Sequence, residues 1–216
     1  MIDLSTQTAL AYGGHQVIFR HPDFDDRVIK VARKRIPRSW HFGRNKSRYG
    51  PLRDWHRTTN EYISMLSKTG AHCPRIPRQY GFEETSMGPA MICELFSGPG
   101  NTLAPTLGDM ICQSHTDIGF LDEIRDDLTA MFDDLIAAGI EFEDLNPRNI
   151  VVTQNAQRVR LVIVDGLGSP ALFPLTTFGA RIFKKVMTKR RDTLVGQVNM
   201  AINKLEDQQE LIAINT

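Results

Sequence analysis

Apolar and polar positions alternate along the first part of the chain, and from Thr8 to Ala32 they predict three short strands: TALAYGG, HQVIFRHP and RVIKVA. Val17 and Phe19 mark the alternation in one, Val28 and Lys30 in another, and Gly13 and Gly14 supply conformational freedom at the first turn. PLRDWHRTTNEYISMLSKTG then predicts a helix, with Pro51 near its start, Trp55, Tyr62, Met65 and Leu66 as buried positions, and Gly70 as its stop. HCPRIPRQYGFEET and AMICELF predict two more strands around the turn SMGP. The second is nearly continuous in apolar residues, which suits a central strand.

After the flexible break SGPGN the pattern becomes helical. TLGDMICQ predicts a short helix and DEIRDDLTAMFDDLIAAG a longer one, whose Leu121, Ile124, Leu128, Met131, Phe132, Leu135 and Ile136 recur at spacings of three and four. Asp122, Glu123, Asp126 and Asp127 read as its solvated face. IVV and RLVIV predict a hairpin turning at Gln154 to Gln157; SPALFPL reads as loop, and a last helix follows from Phe178 to Ile212. A five-stranded region followed by a mainly helical one predicts an α+β protein of two lobes, 1–97 and 98–216, meeting near Phe96 to Asn101 and forming one domain.

Charge changes this picture locally. Lys+Arg of 26 against Asp+Glu of 25 leaves a formal net charge of +1, which as a whole favours neither nucleic acid nor an anionic membrane. Yet the insertion at about 33–50 carries seven cations (Arg33, Lys34, Arg35, Arg38, Arg44, Lys46, Arg48) and no acid, interleaved with Trp40, His41, Phe42 and Tyr49. Nucleic-acid binding is one reading of it; a solvated insertion is favoured, because the rest of the chain adds no charge to it. Lys184, Lys185, Lys189, Arg190 and Arg191 form a second basic cluster, read first as a solvated helix face. Cys73, Cys93 and Cys112 show no zinc or redox spacing. No segment reads as a secretory leader or a membrane span, so a cytoplasmic protein is expected.

The chemistry-bearing stretch is EDLNPRNIVV answered by LVIVDGLG, which puts Asp144, Asn149 and Asp165 on loops flanking the hairpin. Upstream, VIKV sets the ammonium of Lys30 within an apolar strand, where it needs an anionic partner or a route to water. An ordinary outward-facing lysine fits that segment equally well. Glu61, in the middle of the first helix, is positioned to be its partner.

DLNPRN resembles the D-L-x-P-x-N catalytic loop of protein kinases and of small-molecule kinases sharing their fold. The five-residue step from Asp144 to Asn149, a second aspartate 21 residues beyond Asp144, and Lys30 and Glu61 in order all match. More narrowly, FRHPD, IKV, RIPRQYGFEET and DLNPRNI resemble the bacterial PhoP regulatory network protein family, also called YrbL-like. The resemblance implies a two-lobed kinase-like fold with an antiparallel-sheet N-lobe and a reduced, mainly helical C-lobe. It implies ATP and Mg²⁺ as cofactors. Lys30 would contact phosphates, held by Glu61; Asn149 and Asp165 would coordinate the metal; Asp144 would accept the proton of the attacking hydroxyl; Gly13 and Gly14 would let backbone approach the phosphates.

The departures matter as well. Phe142 and Glu143 stand where the catalytic loop usually has histidine and arginine, DGLG replaces D-F-G, and only 51 residues follow Asp165, with no A-P-E. The expectation is therefore a Mg-ATP-dependent phosphotransferase whose acceptor, a small molecule or an unusual one, is unidentified, or else a nucleotide-binding regulatory module that transfers nothing and acts through a protein partner.

Overall fold

The computed structural model describes residues 1–33, 49–98, 100, 102–113, 117–155, 158–168 and 174–214. Most of the basic insertion, Lys34 to Arg48, lies outside them, as do residues 169–173 of the SPALFPL loop and the tip of the predicted hairpin turn. The nucleic-acid reading of the insertion thus falls outside the described residues.

Alternation in the N-terminal half becomes a five-stranded antiparallel sheet in the order β1-β2-β3-β5-β4: β1 (Ala11–Tyr12), β2 (Gln16–Arg20), β3 (Arg27–Ala32), β4 (Gln79–Thr85) and β5 (Gly88–Glu94). Side chains on successive strand residues point to opposite faces. Val17, Phe19, Ile29, Val31, Ala90 and Ile92 therefore pack together under Leu4, while Val28, Met91 and Cys93 pack on the other face against Trp55. β5 is internal, as its apolar run predicts. The predicted strand from His72 narrows to β4, since Pro74 and Pro77 cannot donate to a ladder.

Trp55 belongs to α1 (Arg53–Thr69), entered through a 3-10 turn at Gly50–Leu52 and closed by Gly70 at φ 68°, whose N–H donates to the Leu66 carbonyl. The helix spans both halves: Trp55 packs on the sheet, whereas Met65 is fully buried in the C-terminal core. Leu66, expected inside, is 38% exposed, because the buried stripe runs through Glu61 and Met65 instead.

That core is built on α3 (Ile118–Ala138), whose predicted apolar positions Leu121, Ile124, Leu128, Met131, Phe132 and Leu135 are all buried and Ile136 is half-buried. Against it pack α2 (Leu107–Cys112), the hairpin of β6 (Ile150–Asn155) and β7 (Arg158–Ile163), and α4 (Ala180–Ile214), which contributes Phe183, Met187, Leu194, Val198 and Ile202 at helical spacing. Two backbone bonds flank the connector: the Gly98 N–H donates to the Thr102 carbonyl and the Ala104 N–H to that of Phe96.

One ion cluster centred on a buried arginine fixes the hairpin to α3. Arg75, 7% exposed, donates through Nη1 to Asp127 and through Nε to Asp134, each at 2.7 Å. Asp127 also accepts from the Leu161 N–H, and the Arg75 carbonyl from the Ile163 N–H. Asp127 is accordingly not part of a solvated face; the rigid two-pronged guanidinium and β7 need it inside.

Truncating Arg75 leaves Asp127 half-buried and uncompensated. Arg75→Ala should destabilise the fold by about 3 kcal/mol in a denaturant titration, and Arg75→Lys should recover only part of that.

Candidate functional site

The register of β6 and β7 sets the site. Ile150 faces Ile163, and the next rung outward is closed by the Val164 N–H donating to the Asn149 carbonyl, at 2.8 Å. Asn149 and Asp165 are therefore adjacent at the open end of the hairpin. Asp144 joins them from the preceding loop, where Asn146 caps a 3-10 turn at Pro147–Asn149 and the Asn149 amide donates to the Asp144 carbonyl, at 3.3 Å. With the amide nitrogen turned to that carbonyl, the side-chain oxygen lies on the other side of the amide as an acceptor.

The loop after β7 closes over the same point. Gly166 has φ 82°, and a Cβ on it would lie 2.8 Å from the Asp144 Cβ and 2.9 Å from the Asn149 Nδ2. Gly168, at φ 80°, sits against Arg57 and Glu61 of α1. Between them Leu167, 4% exposed, packs into the C-terminal core. DGLG thus keeps an apolar anchor and uses its glycines to bring three functional segments within contact distance.

The two halves enclose a cleft of about 610 Å³. Ile18, Val28, Leu103 and Val151 give it apolar walls, and Gly13, Gly14, Lys30, Asp144, Asn149 and Asp165 all line it. Six of the seven predicted site residues thus converge. Neither Gly13 nor Gly14 adopts a left-handed backbone, so their part in the turn is absence of a side chain rather than unusual torsion.

Glu61 is the exception. Lys30, 5% exposed, donates its ammonium to the Val164 carbonyl at 2.7 Å, and among the described residues no ion pair joins it to Glu61. Glu61 instead accepts the Glu141 N–H at 3.1 Å. Its burial raises the carboxyl above the ordinary value of 4.5; the Glu141 N–H opposes this, and the nearby Glu141 charge adds to it. The expected Lys30–Glu61 pair is therefore not made in this structure, because each group finds its hydrogen-bonding partner in the catalytic-loop half.

Pattern reading overlooked three residues, of which Gln16 lines the cleft while Glu141 and Arg190 support the loop behind it. Glu141, 1% exposed, accepts the Leu175 N–H and faces Arg190 at 3.5 Å. Arg190 also donates to the Phe142 carbonyl, which takes it out of the solvated basic cluster where it was expected. Gln16 donates its amide to Asp165 Oδ2 at 2.7 Å. A carboxylate between Ile140 and Phe142 was the available signal for Glu141; Gln16 gave none.

One carboxylate and one amide oxygen suit Mg²⁺, which takes oxygen ligands and completes its shell with phosphates and water. Among the described residues no three His, Cys, Asp or Glu side chains cluster as an independent metal centre. A second cavity of about 380 Å³ shares His15, Asp144 and Asp165 with the first and is walled by Asp54, Arg57, Thr58 and Glu143. Asp144, exposed to solvent, stands where the two meet.

Comparison with known proteins bears on the family and the fold. The model of the family described as PhoP regulatory network protein YrbL matches residues 2–199. Proteins called YrbL from Escherichia coli (strain K12) and from Shigella flexneri are each 24% identical over 212 residues, covering 97% of this chain and 93% of theirs. The crystal structure of Rad53 in complex with AMP-PNP superposes with a TM-score of 0.56 at 17% identity, over 94% of this chain and 51% of that one. The chain spans about half of that structure, and at this identity the likeness establishes a kinase-like fold.

Two outcomes follow from the local geometry. Gly166→Ala forces a side chain into left-handed backbone against Asp144, and should cost at least about 2 kcal/mol in thermal unfolding. Because the folded Glu61 holds its proton more tightly than the unfolded one, stability falls as pH rises from 4.5 through its raised value. Glu61→Gln keeps the acceptor for Glu141 without the charge, so it should melt above the wild type at neutral pH, with the advantage shrinking as pH falls toward 4.5.

Proposed function

The chain belongs to the PhoP regulatory network protein YrbL family, and from that premise we propose that it is a Mg²⁺- and ATP-dependent phosphotransferase acting on a small hydroxyl-bearing acceptor in the bacterial cytoplasm. Residues 1–97 and 98–216 act as the two lobes of one domain. The observation that carries the reading is the convergence of Lys30, Asp144, Asn149 and Asp165 on one 610 Å³ cleft with an apolar interior. That volume falls within the ~300–1,000 Å³ of small-molecule sites.

Bound Mg²⁺-nucleotide would supply the transferable phosphoryl group and neutralise charge on its oxygens. Asn149 and Asp165 would hold the metal. Lys30, which among the described residues has no carboxylate ion pair, would turn its ammonium from the Val164 carbonyl to phosphate oxygens, and Gly13 and Gly14 would let the backbone of the first turn approach. Asp144 would take the proton of the acceptor hydroxyl. The acceptor would enter by the 380 Å³ cavity, whose size supports a small molecule rather than a peptide.

A second reading, nucleotide binding without transfer as a regulatory module with a protein partner, is favoured by one observation: Glu61 is held by Glu141 rather than by Lys30. The two readings separate on Asp144. Saturating Mg-ATP should stabilise the protein by about 2.7 kcal/mol at a hundredfold excess over Kd, with Lys30→Ala and Asp165→Ala losing most of that shift. Asp144→Ala should keep the shift while slowing phosphate transfer roughly 10²–10⁴-fold. Binding with no turnover in wild type would support the regulatory module, and no thermal shift at all would sink both.

A further inference from the structure

We propose that Gln16 is a place-holder for the cation at Asp165, filling the metal's position with an N–H donor and withdrawing when the metal arrives; this rests on the nucleotide-metal reading above. Gln16 opens β2 one residue after the Gly13–Gly14 turn, is 9% exposed and lines the cleft between the lobes. A carboxylate accepts and does not donate, so the amide atom facing Asp165 Oδ2 at 2.7 Å is the nitrogen. That length belongs to the short, charge-assisted class of hydrogen bond.

The other oxygen of Asp165 is also supplied, by the Gly166 N–H at 2.8 Å. Both oxygens thus receive donor hydrogens, and N–H dipoles balance the carboxylate where a divalent ion would otherwise do so. An ion placed on Oδ2 would face the positive side of the Gln16 amide. The two therefore compete for one oxygen, and metal binding has to break the Gln16 bond.

This competition is linked to the phosphate-facing turn. The Gln16 carbonyl accepts the Gly13 N–H at 2.9 Å, so Gln16 and the glycines move as one piece of backbone. Together with the bond from Lys30 to the Val164 carbonyl, the Gln16 contact ties the sheet to the segment after β7. Release of Gln16 frees the glycine turn when the metal is delivered, and Gln16 is in this sense a positioning residue.

The test is a titration of the full chain with Mn²⁺ in the absence of nucleotide, with free Mn²⁺ followed by electron paramagnetic resonance. Wild type should bind one ion weakly and Asp165→Asn should lose it. Gln16→Leu and Gln16→Met, which keep bulk and remove the donor, should bind Mn²⁺ on the order of tenfold more tightly than wild type, reflecting release of one charge-assisted hydrogen bond. A merely structural role predicts weaker or unchanged binding, and that result in both variants overturns the place-holder alone. Mn²⁺ binding that survives Asp165→Asn also overturns it, by locating the ion elsewhere. No Mn²⁺ bound by wild type or any variant removes the metal reading and the place-holder together.

Discussion

Everything at the site depends on the β6–β7 hairpin being held in one register against α3. Because side chains alternate along a strand, a shift of one residue would send Ile150, Leu161 and Ile163 out of the core and turn Asn149 and Asp165 away from the cleft. Apolar burial alone leaves some freedom to slide. The Arg75 cluster removes it, since Asp127 binds the guanidinium and the Leu161 N–H with the same oxygen. A strongly directional, buried interaction thus sits one strand away from residues that need positioning within fractions of an ångström.

The short segment after Gly168 is accommodated by a second buried group. Glu141 receives the Leu175 N–H, faces Arg190 of α4, accepts the Gly168 N–H on its carbonyl and gives its own N–H to Glu61. The chain returning from the site is therefore tied to the strand-like approach to the catalytic loop. α4 then lies along α3 and supplies a continuous apolar stripe from Phe183 to Leu205. In this way a reduced helical lobe closes its core with one long helix. The same arrangement draws Glu61 toward the catalytic-loop half and leaves Lys30 with a carbonyl.

Reading by pattern worked where a residue's neighbours in sequence are its neighbours in space. α3 was legible because seven apolar positions at spacings of three and four have only one way to share a face. β5 was legible as internal because a polar face was missing. Leu66 was misplaced because α1 serves two cores and its buried stripe carries a charge, which no hydrophobic count anticipates. Arg190 was misplaced for a related reason: it stands in a run of cations, and only its position on α4 opposite Phe142 turns it inward. Asp127 looks identical to Asp126 in sequence and differs only in facing Arg75.

In the sequence by itself, hydrophobic periodicity determined the order of strands and helices, while the resemblance of DLNPRN to the kinase catalytic loop pointed to the kinase-like fold and to Lys30, Asp144, Asn149 and Asp165 as candidate site residues. Tertiary structure decided how those residues are partnered. Whether Lys30 meets Glu61 or a carbonyl, whether Asp165 faces solvent or Gln16, and which acid of α3 turns inward all depend on contacts across 34 to 149 residues of chain. Such contacts are selected by competition among several hydrogen-bonding groups for the same few buried positions, and that competition is resolved only when the lobes close on each other.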